Sequence, residues 1–260
     1  MPSAPDLHVE QAGDGVPVVL LHGLTATHRY VVHGSRALER SGHRVLAYDA
    51  RGHGRSAPAG DGYGYDRLAE DLGRVLDDHG IDRAVLAGAS MGAHTALRFA
   101  LGHPGRVAGL VVITPAAHPD APPDLDRWDR LAEGLRRGGV EGFVAAYDAG
   151  EVPPQWQETV LRVLHQRLGA HEHPEAVADA LQQVPRSTPF AIDDLGRIDA
   201  PCVVVADRDE ADPGHPLWVG EAYADAIPGA TLVVEDEGQS PLAWQGGALS
   251  KVITGVAARA

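Results

Sequence analysis

The chain has 260 residues, enough for one sizeable core with or without an insertion, and 44% of them are apolar. Its formal charge of -14 argues against nucleic acid and anionic membrane surfaces as partners, because both require a basic patch. One cysteine, Cys202, excludes an internal disulfide and fits a reducing, cytoplasmic setting.

The opening stretch MPSAPDLHVE has no basic segment followed by an apolar one, so no signal peptide is expected. No apolar run approaches the roughly 18 residues of a membrane span. Lys251 is the only lysine beside many arginines, alanines and glycines, a usage that suggests a GC-rich bacterial genome. The expected partner is a small-molecule substrate. Nothing in the sequence speaks to oligomeric state.

In chain order, short apolar runs predict strands at VPVVLLHG (16–23), HRVLAYDA (43–50), RAVLAGAS (83–90), RVAGLVVIT (106–114), CVVVA (202–206) and ATLVVED (230–236). Several are continuously apolar, as strands buried on both faces are. Helical patterns fall between them at 29–41, 66–79, 91–102, 216–226 and 241–258. The alternation predicts an α/β fold with a mostly parallel sheet flanked by helices.

From about His118 to Ile198 no strand signal appears. LDRWDRLAEGLRR, EGFVAAYDA, WQETVLRVLHQRL and PEAVADALQQV have helical periods, punctuated by Pro122, Pro123, Pro153, Pro154 and Pro174. A stretch of this length is too long for a plain loop. The expected division is a core of 1–117 and 199–260 with a helical lid inserted at 118–198.

GASMG (88–92) fits Gly-x-Ser-x-Gly and stands between an apolar strand and a helical pattern. That context lifts a weak five-residue pattern to a strong one: a tight strand-to-helix turn would expose the Ser90 hydroxyl above the sheet. The helix N-terminus behind it favours developing negative charge. LLHGLTAT (20–27) ends the first apolar strand, where the Leu24 N–H could join that of Met91 as an oxyanion hole. DARGHGRS (49–56) follows the second strand as a glycine-rich turn.

On these motifs, standing in family order over nearly the whole length, the chain resembles the α/β-hydrolase fold superfamily, in its serine hydrolase branch with a helical lid. The resemblance implies a triad of serine, acid and histidine in that chain order. It makes Ser90 the nucleophile and gives His22 and His53 structural places. It implies Asp209 as the acid, in VVVADRDEADPGHP, with Asp207 and Asp212 as rivals. A serine at the elbow disfavours the epoxide-hydrolase and dehalogenase branches, which use an aspartate there.

The third member should stand in a Gly-His-x-Pro setting after the last strand, but the sequence there is GQSP, with Gln239 at the histidine position. Glutamine can hydrogen-bond a serine hydroxyl but cannot take its proton. In a serine protease, loss of the histidine alone costs roughly a factor of a million in turnover. Substitute bases to weigh are Glu237, His215, His94 and the histidines of the inserted segment, His165, His171 and His173. HEHP (171–174) hints at a metal, yet no Cys or spaced carboxylate set completes a site, so no metal is expected. No Gly-x-Gly-x-x-Gly follows a strand, so no dinucleotide cofactor is indicated and no cofactor is expected. Cys202 opens an apolar run and reads as a buried core residue.

These readings point to hydrolysis of a carboxylic ester, thioester or lactone through Ser90. The alternatives are a ligand-binding protein that has lost proton transfer, or an ordinary hydrolase inactivated by a His-to-Gln exchange.

Overall fold

Four half-exposed residues, VEQA, form a strand that the sequence pattern does not announce: β1 (Val9–Ala12). The six apolar runs become β2 (Val16–Leu21), β3 (His43–Tyr48), β4 (Ala84–Ala89), β5 (Val107–Ile113), β6 (Cys202–Ala206) and β7 (Thr231–Val234). In this computed structural model, which describes residues 4–208, 214–237 and 244–260, they make one sheet in the order β1-β3-β2-β4-β5-β6-β7. β1 pairs antiparallel with β3, and every other pairing is parallel. The inner strands carry the apolar runs: β5 is buried along its whole length, as is β6.

The helices are α1 (Ala37–Arg40), α2 (Tyr65–Asp78), α3 (Met91–Gly102), α4 (Leu125–Ala146), α5 (Pro154–Leu168), α6 (Pro174–Gln183), α7 (Leu217–Ala226) and α8 (Gly246–Ala257). One apolar cluster joins the sheet to α2, α3 and α7, and another joins its opposite face to α1 and α8. The helix expected over 29–41 is not continuous. A 3₁₀ turn at His28–Tyr30 and the single turn of α1 are separated by His33 and Gly34, whose φ of 48° and 71° no right-handed helix accommodates.

Between β5 and β6 there is no strand. α4 runs through both stretches that the sequence divides, and bends at Gly139 (φ 58°, ψ -143°). The bend folds the helix back on itself, because a β-carbon on Gly134 or Gly142 would run into the other's carbonyl. α4, α5 and α6 share a third apolar cluster with Leu24, Tyr65 and Met91, so they pack over the loops at the C-terminal ends of β2 and β4. Among the described residues, no helix is long and apolar enough to cross a membrane.

Candidate active site

Ser90 closes β4 and precedes the first residue of α3, with φ 51° and ψ -113°. A side chain in that region of backbone space is strained by about 1–3 kcal/mol and needs surroundings that hold it. Here the Ser90 N–H donates to the Ile113 carbonyl at 2.9 Å, tying the turn to β5. The two flanking glycines are required by close approach: a β-carbon on Gly88 would strike the Gly92 carbonyl, and one on Gly92 would strike that of Leu21. The first amides of α3 have no intrahelical acceptor, which leaves the Met91 N–H available for an anion.

Ser90 lines a cavity of about 780 Å³. Gly23, Leu24 and Met91 wall it on the sheet side; Trp128, Leu131, Phe143 and Tyr147 wall it from α4 and the residue that ends it. Among the described residues, the non-glycine positions with positive φ are His33, Ser90 and Thr114, and all three line this cavity.

The turn after β2 is held by buried histidines. His22 donates from Nδ1 to the Gly23 carbonyl and accepts the Ala50 N–H at Nε2, both at 2.8 Å. Burial beside His53 holds its pKa down at about 3. His53 faces the carbonyls of Leu24 and Arg51 at 2.7 and 2.9 Å, and burial lowers its pKa too. His171 accepts the Gly54 N–H at Nδ1 and donates from Nε2 to the Thr25 carbonyl at 3.2 Å. Burial and the neighbouring His53 depress it to about 4. His171 therefore clips the segment before α6 to the loop that carries Leu24, and both its nitrogens are in use.

His94 sits one turn along α3 from Ser90. Tyr223 donates to the Ala117 carbonyl at 3.0 Å, so its oxygen accepts from His94 Nε2, and Tyr65 donates to His94 Nδ1. Burial pushes the His94 pKa down to about 4, with His215 adding to the effect. With both nitrogens occupied by tyrosines, His94 is a packing residue of the cavity wall. His215 also lines the cavity, whereas His165 pairs with Glu141 at 3.5 Å, largely in solvent.

Asp209, Asp212 and Gln239 lie outside the described residues. Asp207 is described and lines the cavity. Glu237, one of the substitute bases weighed, is exposed to solvent. The carboxylate that sequence reasoning missed is Glu235, 4% exposed, lining the cavity and accepting the Arg208 N–H at 2.7 Å. Its signal was available: it directly follows the apolar run TLVV, at the C-terminal end of β7, where side chains face ligand crevices.

A family model for the alpha/beta hydrolase fold matches residues 16–254. The chain belongs to the α/β-hydrolase fold family. It is 34% identical to "Putative carbamate hydrolase RutD" of Variovorax paradoxus (strain S110), over 87% of this chain and 86% of that one. It is 31% identical to 2-hydroxy-6-oxononadienedioate/2-hydroxy-6-oxononatrienedioate hydrolase 2 of Pseudomonas putida, over 88% and 82%. Among solved structures it is similar to a thermophilic esterase from Thermogutta terrifontis, with TM-score 0.81 and 28% identity over 96% of this chain and 92% of that one. These relatives are hydrolases by name, and this chain's mostly parallel seven-stranded sheet flanked by helices is an α/β-hydrolase fold.

Proposed function

We propose that this member of the family is a serine hydrolase acting on a small, uncharged or acyl-bearing molecule, by default a carboxylic ester, thioester or lactone. The observation that carries the reading is the strained Ser90, between β4 and α3, opening onto the cavity. In this reading Ser90 attacks the acyl carbon, and the Leu24 and Met91 N–H groups receive the oxyanion. Residues 118–198 act as a lid whose apolar side chains hold the acyl or alkyl part of the substrate. Asp209 takes the role of the acid and Gln239 stands where the histidine would in the sequence; an amide can hydrogen-bond a serine hydroxyl but cannot take its proton. Turnover is accordingly slow unless a carboxylate at the cavity, Asp207 or Glu235, accepts the serine proton.

A second reading is favoured by one observation, the glutamine in GQSP. A chain with the pocket and the nucleophile but no imidazole base would bind its ligand and release it unchanged. Labelling by a serine-directed phosphonate separates the two. The hydrolase reading requires a covalent adduct on the native chain and none on Ser90→Ala. A native chain that stays unlabelled at long times, while an ester ligand still binds, supports the second reading and overturns the first.

A further inference from the structure

The charges that face the cavity divide by origin. Asp207 and Glu235 line it beyond the ends of β6 and β7, whereas its two arginines, Arg127 and Arg167, come from α4 and α5. Asp124 lines it too, but its carboxylate caps α4 by accepting the Arg127 backbone N–H at 3.0 Å. An anion entering the cavity is therefore repelled on the side of β6 and β7 and attracted on the side of α4 and α5.

One of the two arginines is held ready for such an anion. In a straight helix Arg127 and Tyr147 would stand about 30 Å apart. The bend at Gly139 folds α4 back and brings them together: the central carbon of the Arg127 guanidinium lies 5.9 Å from the Trp128 ring centre and 6.0 Å from that of Tyr147. A guanidinium over aromatic rings keeps the N–H donors of its edge for an acceptor. Here none is supplied. Arg127 is half-buried, and its guanidinium makes no hydrogen bond or ion pair among the described residues. Arg136 and Arg186, from the same segment between β5 and β6, are instead paired with Asp179 and Asp129. In a chain with 36 acidic side chains, a half-buried arginine left without a carboxylate at a cavity wall points to a partner from outside.

We infer that Arg127 binds the carboxylate of an anionic ligand, and that the substrate is a carboxylate-bearing ester, thioester or lactone, such as a half-ester of a short dicarboxylic acid. The second half of the inference rests on the reading of Ser90 as the nucleophile. The planar fork of a guanidinium meets a carboxylate through two parallel N–H donors, a match that a neutral ester cannot make. The reach is short. Leu131 stands one turn further along α4, on the same face, and packs in the cluster that holds Leu24 and Met91. Arg127 is thus about one helical turn, roughly 5 Å of rise, above the wall beside Ser90. A ligand with its carbonyl at Ser90 and its carboxylate a short chain away spans that distance, and its neutral end meets the side that carries Asp207 and Glu235.

The test is calorimetric titration of Ser90→Ala, which cannot turn the ligand over, with monoethyl glutarate and with the neutral diethyl glutarate. The inference expects the half-ester to bind about tenfold or more tightly than the diester, with the advantage shrinking as salt is added. Adding Arg127→Gln should abolish that preference and leave diester affinity unchanged; Arg127→Lys should keep part of it, because the charge remains and the fork does not. A merely structural arginine would weaken both ligands alike. The absence of any preference for the half-ester overturns the inference, and so does a preference that Arg127→Gln leaves undiminished, which would put the carboxylate elsewhere. Phosphonate labelling of the native chain is read separately. A chain that labels but shows no preference loses this inference and keeps the hydrolase reading; one that prefers the half-ester but never labels keeps Arg127 as a ligand residue and loses that reading.

Discussion

A β-carbon on Gly23 would lie 3.4 Å from Cβ and 4.0 Å from Oγ of Ser90, so the turn after β2 rests directly against the elbow side chain. Gly23 does not need positive φ, and its β-carbon would make ordinary contact with Ser90 and with the Ala89 carbonyl oxygen at 3.6 Å, so alanine there fits and places a methyl group beside the serine side chain. Gly23→Ala should keep stability within about 1 kcal/mol. It should also slow phosphonate labelling of Ser90 by about tenfold or more, since a methyl group beside the hydroxyl crowds the incoming phosphorus and small misplacements of reacting groups are costly. Equal labelling rates would mean that the hydroxyl does not depend on this wall.

Arg51 and Asp71 tie the DARGHG turn to α2. The guanidinium donates from Nε and Nη2 to the two carboxylate oxygens at 2.6 and 2.8 Å, and both residues are at most 2% exposed. Asp61 and the Gly62 carbonyl take the other donor, Nη1. Removing Asp71 strands two donors of a buried guanidinium and leaves Asp61 as its remaining anionic partner, so Asp71→Ala should cost about 3 kcal/mol in urea denaturation. A loss below about 1 kcal/mol would mean that water reaches Arg51 in the variant.

His94 predicts an acid-sensitive fold. Burial holds its pKa at about 4 in the folded chain, against 6.5 for a solvated imidazole. Between those values the unfolded chain binds the extra proton, so stability is full above about pH 6.5 and falls as pH drops toward 4. At pH 5 this one group removes about 2 kcal/mol relative to pH 7.5. His171, also depressed to about 4, acts in the same direction. His94→Gln should lower stability at pH 7.5, where the Tyr65 and Tyr223 bonds are lost, yet flatten its decline toward pH 5. An unchanged slope in paired urea titrations would show that His94 is not among the groups responsible.

The parallel strands were legible because burial on both faces leaves no polar residue to break an apolar run; β5 and β6 are the clearest cases. β1 was not, because its four residues are half exposed and owe their extended form to pairing with β3, a tertiary cause. The elbow was legible because Gly88, Ser90 and Gly92 are each demanded by local geometry. The cavity's acidic members were less so. Glu235 and Glu237 differ in sequence by two places, and only the strand's end decides that the first is buried and the second exposed.

The reading of Gln239 makes the sharpest prediction. If glutamine occupies the base position, as GQSP after β7 implies, the elbow, the oxyanion amides and the cavity are in place while proton transfer is not. Gln239→His should then raise hydrolysis of a simple activated ester, and the gain should appear with a pH dependence near the unperturbed imidazole pKa of about 6.5. The increase should fall well short of the factor of about a million that a histidine is worth in a serine protease, because the imported ring lacks a tuned set of supporting bonds. Asp209→Asn in the Gln239→His background should lower the gain, since the acid orients the ring; with glutamine retained the same change should matter little. Asp207→Asn and Glu235→Gln, made in the native chain, test the remaining carboxylates. If the native chain already turns over the ester briskly, and one of these two stops it while Gln239→His adds nothing, that carboxylate is the base and the histidine site is not where the proton goes.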